Sequence, residues 1–218
     1  MTMLAARGES ERSGAAAIAK RATDIVVAIL LIVIVSPVLL AIWIVVRADG
    51  GPALFRHERI GQGGARFACL KFRSMTLRSD AVLLRHLSEN PQAQVEWAES
   101  RKLRHDPRVT GIGRVLRGYS LDELPQLVNV LRGEMSLVGP RPVVQSELDE
   151  FYGPEGKVCY LSVRPGLTGL WQVTGRSGTD YERRVALDTH YVRKMSAMSD
   201  AMILLRTVAV VFSQKGAY

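Results

Sequence analysis

Cysteine is nearly absent: Cys69 and Cys159 are the only two in 218 residues, 90 positions apart. No CxxC, HExxH or paired Cys/His spacing accompanies them, which argues against a zinc site or a disulfide scaffold and leaves both as small core fillers of a reducing compartment. Aromatic residues are scarce, at 6% of the chain, and scattered, so the stacking platforms of a nucleic-acid binder are missing. There is no GxxxxGK(S/T) loop, and Gly111, Gly113 and Gly118 do not make a GxGxxG, which argues against a P-loop or Rossmann nucleotide site. GxSxG is absent too, and His57, His86, His105 and His190 fall in no triad pattern, so they read as surface or packing residues.

Lysine is also short. Of 29 basic residues 6 are Lys and 23 Arg, against 21 acidic residues, for a net charge of +8. Arginine's planar fork favours bidentate recognition of phosphate or carboxylate, so phosphorylated partners are the first expectation. Apolar residues make up 47% and charged residues 23%, which excludes an intrinsically disordered chain.

What is present begins with a run that lacks charge altogether. Residues 25–46, IVVAILLIVIVSPVLLAIWIVV, are long enough for a membrane helix. Ser36-Pro37 stands at its centre, where proline deletes a backbone hydrogen bond, and each half alone is too short to span. Arg7, Arg12, Lys20 and Arg21 precede the run while Arg47, Arg56 and Arg59 follow it, so positive charge marks both flanks. Two topologies fit these residues: a single kinked span, or a re-entrant helix that dips in, bends at Ser36-Pro37 and returns. A cleaved signal peptide does not fit, since the run is too long and no small-x-small site follows.

The chain is expected to divide into a disordered leader over residues 1–17, a helix-break-helix membrane segment over 18–50 and a compact α/β domain over 51–218. PALFRHERI and ARFACLKFRSM around GQGG predict a hairpin, with Phe67, Cys69, Lys71 and Arg73 on one face. A polar helical region runs from about Ser79 to Lys102, interrupted at Asn90-Pro91. Ala201 to Phe212 suits either a core helix or one lying along a membrane interface. The fold class expected is α/β, mostly helical with a small β-hairpin, carrying an N-terminal membrane helix, kinked or re-entrant, and interfacial amphipathic helices.

Chemistry concentrates in RVLRGYSLDELPQLVNVLRGEMSLVGPRP, residues 114–142. Ser120 and Glu123 ahead of Leu124, Leu127, Val128 and Leu131 predict a helix start. The cap is either Ser120 or, to keep Pro125 within the first turn, Asp122. In either register Asp122 and Glu123 sit at the positive end of a helix. A carboxylate held ionised there, beside Arg114, Arg117 and Arg141, can attack an electrophile, and an adjacent carboxylate pair suits Mg²⁺. Acidic residues in a first helical turn are also ordinary capping; the surrounding arginines favour the functional reading. GPRP (139–142) and RPG (164–166) are rigid turns, each presenting an arginine.

KFRSM (71–75), DPRVT (106–110), LDELPQL.NVLRGEMSLVGPRP (121–142) and RPGLTGLWQV.GR (164–176), behind a Ser-Pro-broken apolar segment, resemble the bacterial sugar transferases, also called monotopic phosphoglycosyl transferases. The resemblance covers roughly residues 18–218 and is nearest to the small exopolysaccharide-initiating members that transfer galactose 1-phosphate. It implies transfer of a hexose 1-phosphate, with galactose or glucose favoured, from a UDP-sugar to undecaprenyl phosphate, with UMP released, at the cytoplasmic face of the bacterial inner membrane. It also implies Mg²⁺ and a covalent intermediate on Asp122, with Glu123 holding Mg²⁺ or handling the acceptor's proton. Lys71, Arg73, Arg117 and Arg141 match the family's phosphate-binding positions, and Ser36-Pro37 matches its re-entrant break. An N-acetylated or diamino sugar would use the same dyad, and the Gly175–Tyr181 loop is where donor preference is expected. The rival from another class is a non-catalytic, membrane-anchored basic module. Nucleic acid is not an expected partner, and the sequence leaves a homodimer open.

Overall fold

A computed structural model describes residues 2–100, 103–174 and 180–213. The first element, α1 (Thr2–Ala48), is helical throughout and begins inside the segment expected as a leader. The run holding residues 25–46 is long and apolar enough to cross a membrane. Helical structure continues through Ser36-Pro37, and the reason is local. Pro37 has no N–H to give the carbonyl of Val33, and the Ser36 hydroxyl donates to that carbonyl instead, at 2.8 Å. The serine restores the bond that the proline removes, so the helical assignment shows no interruption where the sequence predicted a break.

β1 (Leu54–Ile60) and β2 (Arg66–Phe72) form the expected antiparallel hairpin, with a 3-10 turn at Gln62–Gly64. Arg66 and Ala68 are exposed while Phe67 and Cys69 are buried, the alternation expected of a half-covered strand. The strand ends at Phe72, so Arg73 falls outside it. The polar region forms α2 (Ser79–Glu89) and α3 (Pro91–Ser100), the latter opened by the proline that closes the former. α4 (Gly111–Gly118) is capped by Thr110, whose hydroxyl accepts from the Gly113 N–H.

The predicted helix start near Ser120 needs correction. Ser120 adopts a left-handed conformation and makes no side-chain cap, Leu121–Glu123 is a single 3-10 turn, and α5 (Gln126–Arg132) begins only after Pro125. The chain closes three-residue turns (Glu123 N–H to Ser120, Leu124 N–H to Leu121) until the proline is passed, and the Val128 N–H then bonds the Pro125 carbonyl. Asp122 and Glu123 therefore precede the helix and do not lie within its first turn.

β3 (Ser136–Val138) and β4 (Gly166–Thr168) pair in parallel, a second small sheet that the sequence did not announce. It brings GPRP and RPG into contact so closely that a Cβ on Gly166 would lie 2.1 Å from the Gly139 nitrogen. Side chains cannot enter this crossing, which is why both turns carry glycine. The remaining helices are α6 (Gln145–Phe151), α7 (Pro154–Ser162), α8 (Leu170–Thr174), α9 (Tyr181–Lys194) and α10 (Ala197–Ser213). α10 joins both expectations: Ile203 is buried in the core, while Met202, Leu205 and Val208 face outward.

Three apolar clusters hold the body together. The first joins Phe67, Cys69, Leu127, Val130, Met135 and Leu137 to Ala28 of α1. The second joins Phe72, Ala53 and Leu116 to Ile42 and Val46 of α1. The third packs Ile60, Val143 and Leu148 against Tyr152 and Tyr160. Cys69 is the expected core filler, whereas Cys159 is only half-buried.

Candidate active site

β2, the turn ahead of α5 and the GPRP loop converge on one narrow, partly open pocket. Its lining includes Lys71, Glu123, Arg141, Arg59, Cys69 and Gln172. Asn129 fixes the geometry from below. It is fully buried on α5, its Oδ1 accepts from the Leu70 N–H at 3.0 Å, and its Nδ2 donates to the Ala68 carbonyl at 2.8 Å. The amide takes the place of a neighbouring strand along β2 and locks α5, with the preceding Asp122-Glu123 turn, against the strand that carries Lys71.

Within the pocket Lys71 Nζ donates to Glu123 Oε1 at 2.6 Å, and Arg141 Nη1 lies 3.7 Å from the same oxygen. Asp122, 7% exposed, lies next to this cluster outside the pocket lining. Burial raises its carboxyl above the ordinary range, and the charge of Glu123 adds to that, while Lys71 and Arg117 pull the other way. Burial also works against Glu123, but Lys71 and Arg141 outweigh it and hold that carboxyl below its usual value. Neighbouring carboxylates are thus driven apart, one fully ionised and one poised to hold or lose a proton.

Of the predicted phosphate-binding residues, Lys71 and Arg141 line the pocket. Arg117 is close enough to Asp122 to depress its carboxyl, and its Nε donates to the Ser74 hydroxyl at 2.9 Å. Arg73 is not brought to this pocket. Its guanidinium is 8% exposed, donates to the Val46 carbonyl at 2.7 Å and lies 3.9 Å from Asp49, closing the C-terminal end of α1. Ser36 and Pro37 lie on α1 in the middle of the apolar run. Gly175–Thr179, most of the loop expected to read the sugar, lies outside the described residues. None of the four histidines lines the pocket.

Arg59 and Gln172 are pocket residues that sequence reasoning missed. Arg59 pairs with Phe67 across the hairpin, which puts it on the face carrying Cys69 and Lys71. The strand pattern hinted at that face, but only the register assigns it. Gln172 stands in the LWQV segment of α8, its Nε2 donating to the Leu167 carbonyl at 3.1 Å. Beside the pocket, Trp171 lies between two arginines, with the guanidinium carbon of Arg184 at 4.9 Å and that of Arg141 at 5.8 Å from the ring centre.

Among the described residues no cluster of three or more His, Cys, Asp or Glu forms a ready-made metal cage. The Asp122-Glu123 pair still fits Mg²⁺, which is commonly held by one or two carboxylates with substrate phosphates and waters completing the shell.

Residues 15–214 match the family model of bacterial sugar transferases. The chain is 50% identical over 202 residues to the exopolysaccharide production protein ExoY of Sinorhizobium fredii, covering 92% of this chain and 88% of that protein. It is 48% identical over 199 residues to the undecaprenyl-phosphate galactose phosphotransferase of Salmonella typhimurium, covering 91% of this chain but 41% of that longer protein. A UDP-glucose:undecaprenyl-phosphate glucose-1-phosphate transferase of Caulobacter vibrioides is 44% identical over 208 residues, 91% of this chain and 72% of its own length. The chain thus spans about two fifths of the Salmonella relative and nearly all of the rhizobial one. Matched over nearly its whole length by the family model and by these relatives, the chain belongs to the bacterial sugar transferase family.

Proposed function

We propose that the protein transfers a hexose 1-phosphate, galactose or glucose, from a UDP-sugar to undecaprenyl phosphate, releasing UMP as the membrane-bound first step of exopolysaccharide synthesis. The observation that carries this reading is buried Asp122 with half-buried Glu123 beside Lys71, Arg117 and Arg141. Phosphoryl transfer asks mainly for positioning and for neutralisation of charge on phosphate oxygens.

In the first step an Asp122 carboxylate oxygen attacks the β-phosphorus of the donor. The new oxygen–phosphorus bond forms as the bond to the bridging oxygen breaks, and UMP leaves with that electron pair. In the second step a phosphate oxygen of undecaprenyl phosphate attacks the same phosphorus and frees the Asp122 carboxylate. One carboxylate can in this way serve a water-soluble donor and a lipid acceptor in turn. Lys71 and Arg141 bind phosphate oxygens and keep Glu123 ionised; Arg117 favours the ionised form of Asp122. Asp122 and Glu123 would hold Mg²⁺, which, when bound, supplies further neutralisation of the diphosphate.

The acceptor requires a membrane, and α1 supplies the contact. Ten large apolar side chains between Val26 and Val45 are exposed, a surface whose cover by lipid is worth roughly 20 kcal/mol. We place the catalytic body on the cytoplasmic face of the inner membrane, with α1 as the re-entrant element.

The test is UMP release by nanodisc-held protein with Mg²⁺, undecaprenyl phosphate and a panel of UDP-sugars that includes the N-acetylated hexoses. One neutral hexose donor is expected to react, and Asp122→Asn to lose activity by on the order of 10⁴-fold. Undiminished release by Asp122→Asn would remove the covalent mechanism. Silence of the folded wild type across the panel would remove the enzyme reading in favour of a non-catalytic membrane module.

A further inference from the structure

The charges that line the pocket do not balance. Arg59, Lys71 and Arg141 line the pocket with one carboxylate, Glu123, while Glu147 reaches Arg59 from outside the lining, so positive charge predominates at this wall. Such an excess is costly unless an anion completes it. A diphosphate diester, with about one negative charge per phosphate, is such an anion.

Lys71 is hydrogen-bonded to Glu123, Arg141 is ion-paired with it at 3.7 Å without a hydrogen bond, and Arg59 is held as loosely. Its nearest carboxylate is Glu147 of α6, with Arg59 Nη1 3.6 Å from Glu147 Oε2, outside hydrogen-bond distance; the two side chains are 14% and 31% exposed. The Arg59 Nη2 lies 3.1 Å from His57 Nδ1. Glu147 is itself fixed, since its Oε2 accepts from the Val144 N–H at 3.4 Å as the start of α6 is capped. The result is a guanidinium in the pocket wall, steered by a fixed carboxylate that does not saturate it.

We infer that Arg59 is a further binding residue for the donor's diphosphate, and that Glu147 is a positioning residue that acts through it. The inference rests on the phosphoglycosyl-transfer reading and deepens it. It also accounts for the arginine of KFRSM, because Arg73 is spent on the end of α1 and the opposite strand provides the missing cation.

The experiment measures binding of UDP and of uridine to nanodisc-held protein by titration calorimetry, alongside donor and acceptor KM from UMP release. Arg59→Gln is expected to weaken UDP on the order of tenfold or more, the size of a lost charge-assisted hydrogen bond, while uridine binding and acceptor KM hold. Arg59→Lys should recover part of the loss. Glu147→Gln, which keeps the cap but drops the charge, should raise donor KM by less and add nothing once Arg59 is already Gln. UDP binding by Arg59→Gln equal to the wild type overturns the assignment, as does an equal loss of UDP and uridine, which would mean a distorted site. Should Arg59→Gln not fold, Arg59→Lys decides alone: UDP binding unchanged by loss of the fork overturns the assignment. A wild type that binds UDP through Arg59 yet releases no UMP from any donor would sink the reaction and leave this binding residue standing.

Discussion

Asp188 is a carboxylate with no room for its charge. It is 3% exposed on α9, and burial pushes its carboxyl up to about 7 against the opposing pull of Arg184 and of the Arg141 backbone N–H. In the unfolded chain an aspartate ionises near pH 4, about 3.9. Between those two values the unfolded state has released its proton and the folded state has not, so stability falls as pH rises through this window and levels off above about 7. Asp188→Asn keeps the shape and cannot ionise. Its melting temperature relative to wild type is therefore expected to be higher at pH 8 than at pH 5, read from thermal melts at both. A difference independent of pH would mean that Asp188 is ionised throughout. The sequence carried a faint signal for this residue. Asp188 stands three positions after Val185 and four before Val192, in the register of an apolar stripe, where a charge is out of place. In a segment as polar as YERRVALDTHYVRK that signal is easily lost. By contrast, Asp122 and Glu123 were legible because they stand beside arginines that charge counting detects. The commitment of Arg73 to the Val46 carbonyl was not legible, since a strand pattern gives a side chain its face but not its partner.

The join of β2 to α5 depends on Asn129 more than on apolar contact alone. Its amide bonds the Leu70 N–H, the Ala68 carbonyl and Glu134 Oε2. Asn129→Ala would leave a buried N–H and a buried carbonyl without partners, a loss on the order of 3 kcal/mol. Because the same helix follows the Asp122-Glu123 turn, activity should fall together with the denaturation midpoint. A variant as stable as the wild type would show that water replaces the amide. Elements were read from the sequence with unequal success, for local reasons. The hairpin was legible because alternation and GQGG lie within a few residues of each other. The start of α5 was placed too early because Ser120 and Glu123 imitate a capping box, while Pro125 delays regular helix until it is passed. The β3–β4 pair was invisible: three-residue strands 30 positions apart carry no period, and only the glycines at 139 and 166 mark where two backbones touch.

Across the whole molecule the decisive relation is between α1 and β2. Ala28 packs in the cluster of Phe67, and Ile42 packs in the cluster of Phe72. The fourteen helical steps from Ala28 to Ile42 cover about 21 Å, and the five strand steps from Phe67 to Phe72 cover about 17 Å, so the two elements run alongside one another. Further ties fix both ends of the apolar run to the same body. The Leu137 N–H donates to Asp24 Oδ1 at 3.2 Å, and Arg73 donates to the Val46 carbonyl at 2.7 Å. A body with a charged surface cannot follow its helix through about 30 Å of hydrocarbon. We propose on this ground that both ends of the run face the same aqueous compartment, whatever the bend at Ser36-Pro37. With half-buried Cys159 changed to Ser, single cysteines at Ala16 and Arg56 report the two flanks. A membrane-impermeant maleimide should label neither in intact spheroplasts and both after permeabilisation. Labelling of just one of them in intact spheroplasts would establish a true span, and the contacts at Asp24 and Val46 could then not both exist in the membrane.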